Sequence, residues 1–146
     1  EATVGGLTGI VAAVAPVPVF AHLLVLAVPE VLGCGQGREA ARWIDFDLYG
    51  HQLSAHLFDG AMLDARRTAV DGDGVPIPHF GLVLPYSEWC LLKDRLLRHG
   101  VAFDLPPRVR FEGQAGEQWT MFLSDPSGNF LEFKSFKSDE AVFETG

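Results

Sequence analysis

Four residues that could bind a metal or transfer a proton stand out along the chain. His79 opens a short apolar strand, Glu132 lies four residues past a turn at Gly128, and His56 and His22 lie in further apolar stretches. A neutral imidazole and a carboxylate that leave positions open suit Fe(II), Mn(II), Ni(II), Co(II) or Zn(II). The alternative is structural, with His79 as a strand-edge histidine and Glu132 as a solvated residue on an exposed face.

The elements that would position these residues are clearest in the C-terminal half. A helix is predicted over Ser87–His99, with Ser87 as the N-cap and Gly100 just past the end. Trp89, Leu92 and Leu96 share one face of this helix. The half reads β-α-β-β-β: the helix is followed by the short segment Val101–Phe103, and the four strands are His79–Leu84, Arg108–Phe111, Gln118–Leu123 and Asn129–Ser135.

The N-terminal half repeats the ending of that pattern. A strand over Arg42–Leu48 turns at Tyr49 and Gly50 into a return strand over His51–Leu57. Aligning Gly50 with Gly128 also matches a Leu and a Phe at equal spacing, which indicates an internal duplication.

Within that repeat, Ser54 takes the position of Glu132, and serine is a poor metal ligand. His56 follows two residues later and so shares a strand face with Ser54, whereas His51 points to the opposite face. His56 is therefore a candidate ligand, base or substrate contact, with a structural histidine whose hydrogen bonds are satisfied as the alternative.

The linker between the halves holds the run Asp71–Gly74, which indicates a turn. A calcium-binding loop is the alternative, but the further ligands that it would need are missing.

Composition narrows the classes of partner. The 146 residues carry a formal charge of −8, which disfavours nucleic acid and leaves a small molecule as the expected ligand. Cys34 and Cys90 lack metal-ligand spacing and are expected to be reduced, which favours the cytoplasm. Residues 2–29 contain no Asp, Glu, Lys or Arg, but prolines interrupt them and no basic region precedes them, so neither a membrane span nor a signal peptide is predicted.

Four segments resemble the vicinal-oxygen-chelate superfamily, which contains glyoxalase I, bleomycin-resistance proteins and extradiol dioxygenases. They are Val31–Cys34, Trp43–Leu57, Pro78–Gly81 and Met121–Lys134. The resemblance implies an α+β domain over residues 1–146, in which two βαβββ modules form a barrel-like cleft. The first module would span about 8–58, a linker 59–78, and the second module 79–136.

The resemblance also implies a divalent metal, with His79 and Glu132 as second-half ligands and a first-half histidine at the start of strand one. His22 is the candidate if Phe20–Leu26 is that strand, yet His22 lies too close to Gly33 for a strand and a crossover helix. Aligning Gly33 with Gly100 instead puts the strand at about Gly9–Val17, Ala12 opposite His79, and His22 within a helix over Val19–Leu32. Both registers stay open on the sequence.

Three functions follow from this resemblance. The first is a metal-dependent isomerase, lyase or dioxygenase whose substrate chelates the metal through adjacent oxygens, with His56 as a base. The second is a metal-free protein that sequesters a small molecule or antibiotic, as bleomycin-resistance proteins do. The third is a vestigial domain that only self-associates, since small acidic domains of this kind are commonly homodimers.

Overall fold

The computed structural model describes residues 10–14, 28–57, 66–70, 72–125 and 128–143, and these fall into two compact units that divide after Leu63. Ten strands and one α-helix lie in the described ranges, together with a short π-helix at Val28–Leu32 and a 3-10 turn at Glu140–Phe143. None of the helices in these ranges is long and apolar enough to cross a membrane.

The first unit contains a four-stranded sheet in the order β1-β4-β3-β2. Its buried face carries apolar side chains of the β3–β4 hairpin, including Phe46, Leu48 and Leu53. The strands are β1 (Ile10–Val14), β2 (Gly35–Ala40), β3 (Trp43–Leu48) and β4 (His51–Leu57). The hairpin and its turn are placed as predicted, whereas β2 has no counterpart in the sequence prediction because all of its residues are exposed and it shows no apolar alternation.

The second unit contains a sheet with the equivalent order, β7-β10-β9-β8. Its strands are β7 (Phe80–Val83), β8 (Phe103–Arg110), β9 (Gln118–Ser124) and β10 (Phe130–Phe136). In both sheets the first strand pairs in parallel with the last, and the remaining pairs are antiparallel. The predicted duplication and the α+β class are therefore confirmed, while a cleft formed jointly by both halves stays a prediction.

The single α-helix of the described ranges, α1 (Tyr86–Arg98), packs Trp89, Leu92 and Leu96 against the sheet, as its periodicity predicts. The indole Nε1 of Trp89 donates to the Phe133 carbonyl oxygen at 3.0 Å, which ties the helix to β10. The predicted N-cap was wrong, because Pro85 occupies that position and no side chain caps the helix. Pro85 follows the last sheet hydrogen bond, and its carbonyl accepts from Trp89 N at 2.9 Å, so the helix begins at Tyr86, two residues earlier than a Ser87 cap allows.

The segment predicted as a linker loop holds a further hairpin, β5 (Arg66–Val70) and β6 (Asp73–Ile77). Two ion pairs join this hairpin to β8, Arg67 with Asp104 and Asp73 with Arg108. The hairpin thus contributes one cation and one anion, and β8 supplies an oppositely charged partner for each. Buried Val75 and Pro76 anchor the β6 end, immediately before His79.

Candidate functional site

The candidate site in the second unit lies where β10 pairs with β7. Glu132 pairs with Gly81 on β7 and with Phe122 on β9, and it lies on the sheet face opposite Trp119, whose ring contacts Tyr86 of α1. His79 stands two residues before Gly81 and therefore shares that face. The two side chains meet there, with His79 Nε2 3.4 Å from Glu132 Oε2.

The remaining polar atoms of this pair are occupied in a way that directs Nε2 and Oε2 toward each other. His79 Nδ1 lies 2.8 Å from the Pro76 carbonyl oxygen, which can only accept, so Nδ1 carries a proton. In the neutral ring, Nε2 then presents its lone pair to the carboxylate. Thr120 Oγ1 donates to Glu132 Oε1 at 2.9 Å, and the ring of Phe122 packs edge-on to the imidazole at 5.1 Å.

This arrangement fits two neighbouring ligands of one metal ion. Ligand atoms bound at about 2.1 Å to a tetrahedral ion lie about 3.4 Å apart, which is the separation of Nε2 and Oε2. Metal-binding histidines commonly donate the other ring N–H to a carbonyl, as His79 does to Pro76. Within the described ranges no group of three or more His, Cys, Asp or Glu residues surrounds a common point, so this pair would supply two ligands.

A lysine ammonium also contacts the same carboxylate. Lys134 Nζ lies 3.2 Å from Glu132 Oε2, and the Glu132 side chain is only 8% exposed. The ammonium therefore compensates the buried negative charge when the carboxylate binds no other cation. The sequence alternation places Lys134 on the Glu132 face, but only the structure brings its ammonium to the carboxylate.

In the first unit, the position that matches Glu132 carries a hydroxyl instead, as predicted. Ser54 donates from Oγ to Asp45 Oδ1 at 2.6 Å, and Arg38 donates to Asp45 Oδ2 at 3.2 Å. Asp45 is 5% exposed and lies directly across from Ser54 on β3. Each unit therefore pairs a buried carboxylate with a hydroxyl, but the carboxylate lies on the last strand in the second unit and on the preceding strand in the first.

Asp45 is the residue that the sequence reasoning missed. Trp43, Asp45 and Asp47 alternate along β3, and the turn at Tyr49 and Gly50 fixes the register that places Asp45 opposite Ser54. Asp45 also lines an open cavity of ≈ 340 Å³ in the first unit. Hydrogen bonding by the Ser54 hydroxyl is the main cause that lowers the pKa of Asp45; Gln52 and Arg38 add to it, and burial opposes it.

We expect Ser54→Ala to destabilise the protein in a pH-dependent manner. Because the folded-state pKa of Asp45 is depressed, its contribution is present above the unfolded-state value of about 4 and is lost as the pH falls through the folded-state pKa. Urea unfolding of wild type and variant should differ at pH 7 and converge on acidification. In an Asp45→Asn background, Ser54→Ala should add no pH-dependent loss, and a difference that persists there would contradict the assignment.

Of the other histidines predicted for the site, one lies in the first unit and one lies outside the described residues. His56 is exposed on β4 opposite Trp43, on the face of Ser54, as the alternation predicts. His22 lies outside the described residues. The position of β1 agrees with the predicted register in which a strand starts near Gly9.

The alignment of the two repeats in that register was wrong in detail. Ile10 pairs with Leu53 in the first unit as Phe80 pairs with Leu131 in the second, so Ala12 is not the equivalent of His79.

Comparison with solved structures identifies the class. The fold is that of the vicinal-oxygen-chelate superfamily, which confirms the resemblance predicted from the sequence. A glyoxalase/bleomycin resistance/dioxygenase protein from Alicyclobacillus acidocaldarius is 26% identical, with a TM-score of 0.72 over 95% of this chain and 97% of that chain. No protein-family model matches the sequence, and no curated protein matches it.

Two more distant structures share the fold. A mutant of the fosfomycin resistance protein FosX from Listeria monocytogenes, complexed with Mn(II) and 1S,2S-dihydroxypropylphosphonic acid, is 15% identical, with a TM-score of 0.66 over 97% of this chain and 98% of that chain. TioX from Micromonospora sp. ML1 is 15% identical, with a TM-score of 0.61 over 90% of this chain and 98% of that chain.

Proposed function

We propose that this protein is a glyoxalase-like enzyme that binds a divalent metal through His79 and Glu132 and acts on a small substrate with two adjacent oxygens. The observation that carries the proposal is the 3.4 Å separation of His79 Nε2 and Glu132 Oε2, with Nδ1 committed to the Pro76 carbonyl. The Mn(II) named for the FosX complex supports testing manganese first among Fe, Mn, Ni, Co and Zn.

The chain's own groups would prepare this site in three ways. The Pro76 carbonyl holds the imidazole in the tautomer that leaves Nε2 free, and Thr120 orients the carboxylate through Oε1. Phe122 restricts rotation of the His79 ring by edge-on packing.

A bound divalent ion would supply Lewis-acid polarisation of substrate oxygens or, as Fe(II), oxygen chemistry. A proton-transfer reaction would also need a base, and His56 stays the predicted candidate.

The decisive test is the metal content of protein purified without chelator or affinity-tag metal. We expect near-stoichiometric metal in the wild type, and a loss of affinity of at least ~100-fold in His79→Ala and in Glu132→Gln, beyond the 10–100-fold typical of losing an outer-shell partner. The matched controls His99→Ala and Glu112→Gln change exposed residues of the same unit and should retain the metal. Wild-type protein that binds none of the five metals would refute the proposal.

A second candidate function is metal-free binding of a small molecule. The specific observation in its favour is the ion pair of Lys134 with Glu132, which neutralises the carboxylate without a metal. Metal-free binding is also favoured by Ser54, because a hydroxyl is a poor metal ligand and occupies the first-unit position that matches Glu132. Saturable ligand binding by protein that takes up no metal would support this function over the enzymatic one. The predicted homodimer is tested separately by sedimentation.

A further inference from the structure

In the described part of the chain, Arg67, Arg108 and Lys134 form ion pairs that involve the second-unit sheet, and of these three only Lys134 pairs with a candidate metal ligand. Arg67 and Arg108 pair with Asp104 and Asp73, which bind the β5–β6 hairpin to β8. Lys134 instead points along β10 to Glu132, two residues away on the same face. Its side chain is 31% exposed, so it borders both the site and solvent.

The ammonium and a metal ion would compete for one oxygen atom. Glu132 Oε2 faces His79 Nε2 at 3.4 Å and Lys134 Nζ at 3.2 Å, whereas Oε1 is engaged by Thr120. A divalent cation bound through Oε2 and Nε2 would repel the ammonium at this distance. The flexible four-carbon stem lets Nζ move away while its attachment to β10 keeps it beside the site.

Once displaced, that ammonium is a positive charge at the edge of a partly buried site. The chain as a whole carries a formal charge of −8, so its overall field repels anions, and an anionic ligand would require a local cation. Arg67 and Arg108 are already paired with carboxylates of the hairpin and β8, whereas metal binding would free Lys134. An anionic ligand would therefore give Lys134 a new ion-pair partner in place of Glu132.

We propose that Lys134 determines the substrate class: it neutralises Glu132 before metal binding and then pairs with a negatively charged group of the ligand, so that the site selects small anionic chelators. This inference rests on the proposed function, since it requires a metal at His79 and Glu132. The substrate would then need a negatively charged group in addition to its two adjacent oxygens.

The first arm of the test measures Mn²⁺ affinity by calorimetric titration. Lys134→Met removes the competing ammonium while keeping the apolar stem, and we expect it to bind Mn²⁺ up to about fivefold more tightly than the wild type. Lys137→Met removes a cation of the same unit that pairs with Glu117 instead, and it should leave the affinity unchanged. Weaker or unchanged Mn²⁺ binding by Lys134→Met would overturn the competition.

The second arm compares protocatechuate with its neutral amide as ligands of the Mn²⁺-loaded protein, because both offer the same adjacent oxygens. The wild type and Lys134→Arg should prefer the carboxylate by roughly three- to fivefold, and Lys134→Met should bind both equally. Equal binding of the two by wild type that carries Mn²⁺ would overturn this inference alone. If neither wild type nor Lys134→Met takes up a divalent metal, the proposed function fails and the inference with it.

Discussion

Gly81→Ala should abolish stable pairing of β7 with β10 and lower the free energy of unfolding by at least ~3 kcal/mol. A Cβ at this position would overlap the backbone carbonyl of Glu132 on the neighbouring strand. Relief requires the two strands to separate, because the obstacle is backbone and cannot rotate away. The ladder that extends to the Leu84 N to Lys134 O hydrogen bond of 2.8 Å would then be lost.

Gly74→Ala in the adjoining hairpin provides the control for that substitution. A Cβ there would meet no atom closer than 3.7 Å, and the nearest is the flexible side chain of Arg67, so the same chemical change should cost little. Denaturant unfolding of both variants measures the difference. A midpoint for Gly81→Ala equal to that of Gly74→Ala would show that the strands do not approach so closely. Loss of metal by a still folded Gly81→Ala would instead show that the strand pairing positions Glu132 relative to His79.

Leu96→Ala should cost about 2–5 kcal/mol of unfolding free energy, as expected for a leucine deleted from a packed core. Leu96 is 0% exposed on the buried face of α1, whereas its neighbour Leu97 is 56% exposed. Leu97→Ala changes the same residue type in the same helix turn, so the intrinsic helix preference of alanine affects both variants alike. We expect less than about 0.5 kcal/mol for Leu97→Ala.

Chemical denaturation of the Leu96 and Leu97 variants, followed by helix circular dichroism and tryptophan fluorescence, tests this directly. Trp89 lies on the same helix face as Leu96 and is 3% exposed, so its fluorescence reports the packing of α1 on the sheet. Equal losses for the two variants would mean that the helix presents a different face from the one described.

Much of the fold could be predicted because local pattern and tertiary environment agree. The apolar runs of β9 and β10 are buried along most of their length, and the i, i+3, i+7 spacing of Trp89, Leu92 and Leu96 reflects the one buried side of α1. By contrast, β2 is wholly exposed, and its pairing with β3 leaves no apolar pattern in its own residues. The sequence prediction separated Val101–Phe103 from Arg108–Phe111, whereas one strand, β8, runs through Pro106 and Pro107 with shifts of register against β9.

The candidate site also has features that local sequence patterns predict and features that depend on the tertiary structure. The sequence by itself determined that His79 lies at the start of a strand, within one residue of β7, that Glu132 lies in β10 and that Ser54 replaces a carboxylate in the repeat. These features follow from strand periodicity and from the two equivalent turns, which are local properties. Only the tertiary structure decided that Pro76 holds the His79 tautomer, that Lys134 shares Oε2 with His79, and that Asp45 is the buried carboxylate of the first unit. These contacts depend on strand register and on side-chain rotamers, which bring together atoms whose partnership no local pattern encodes.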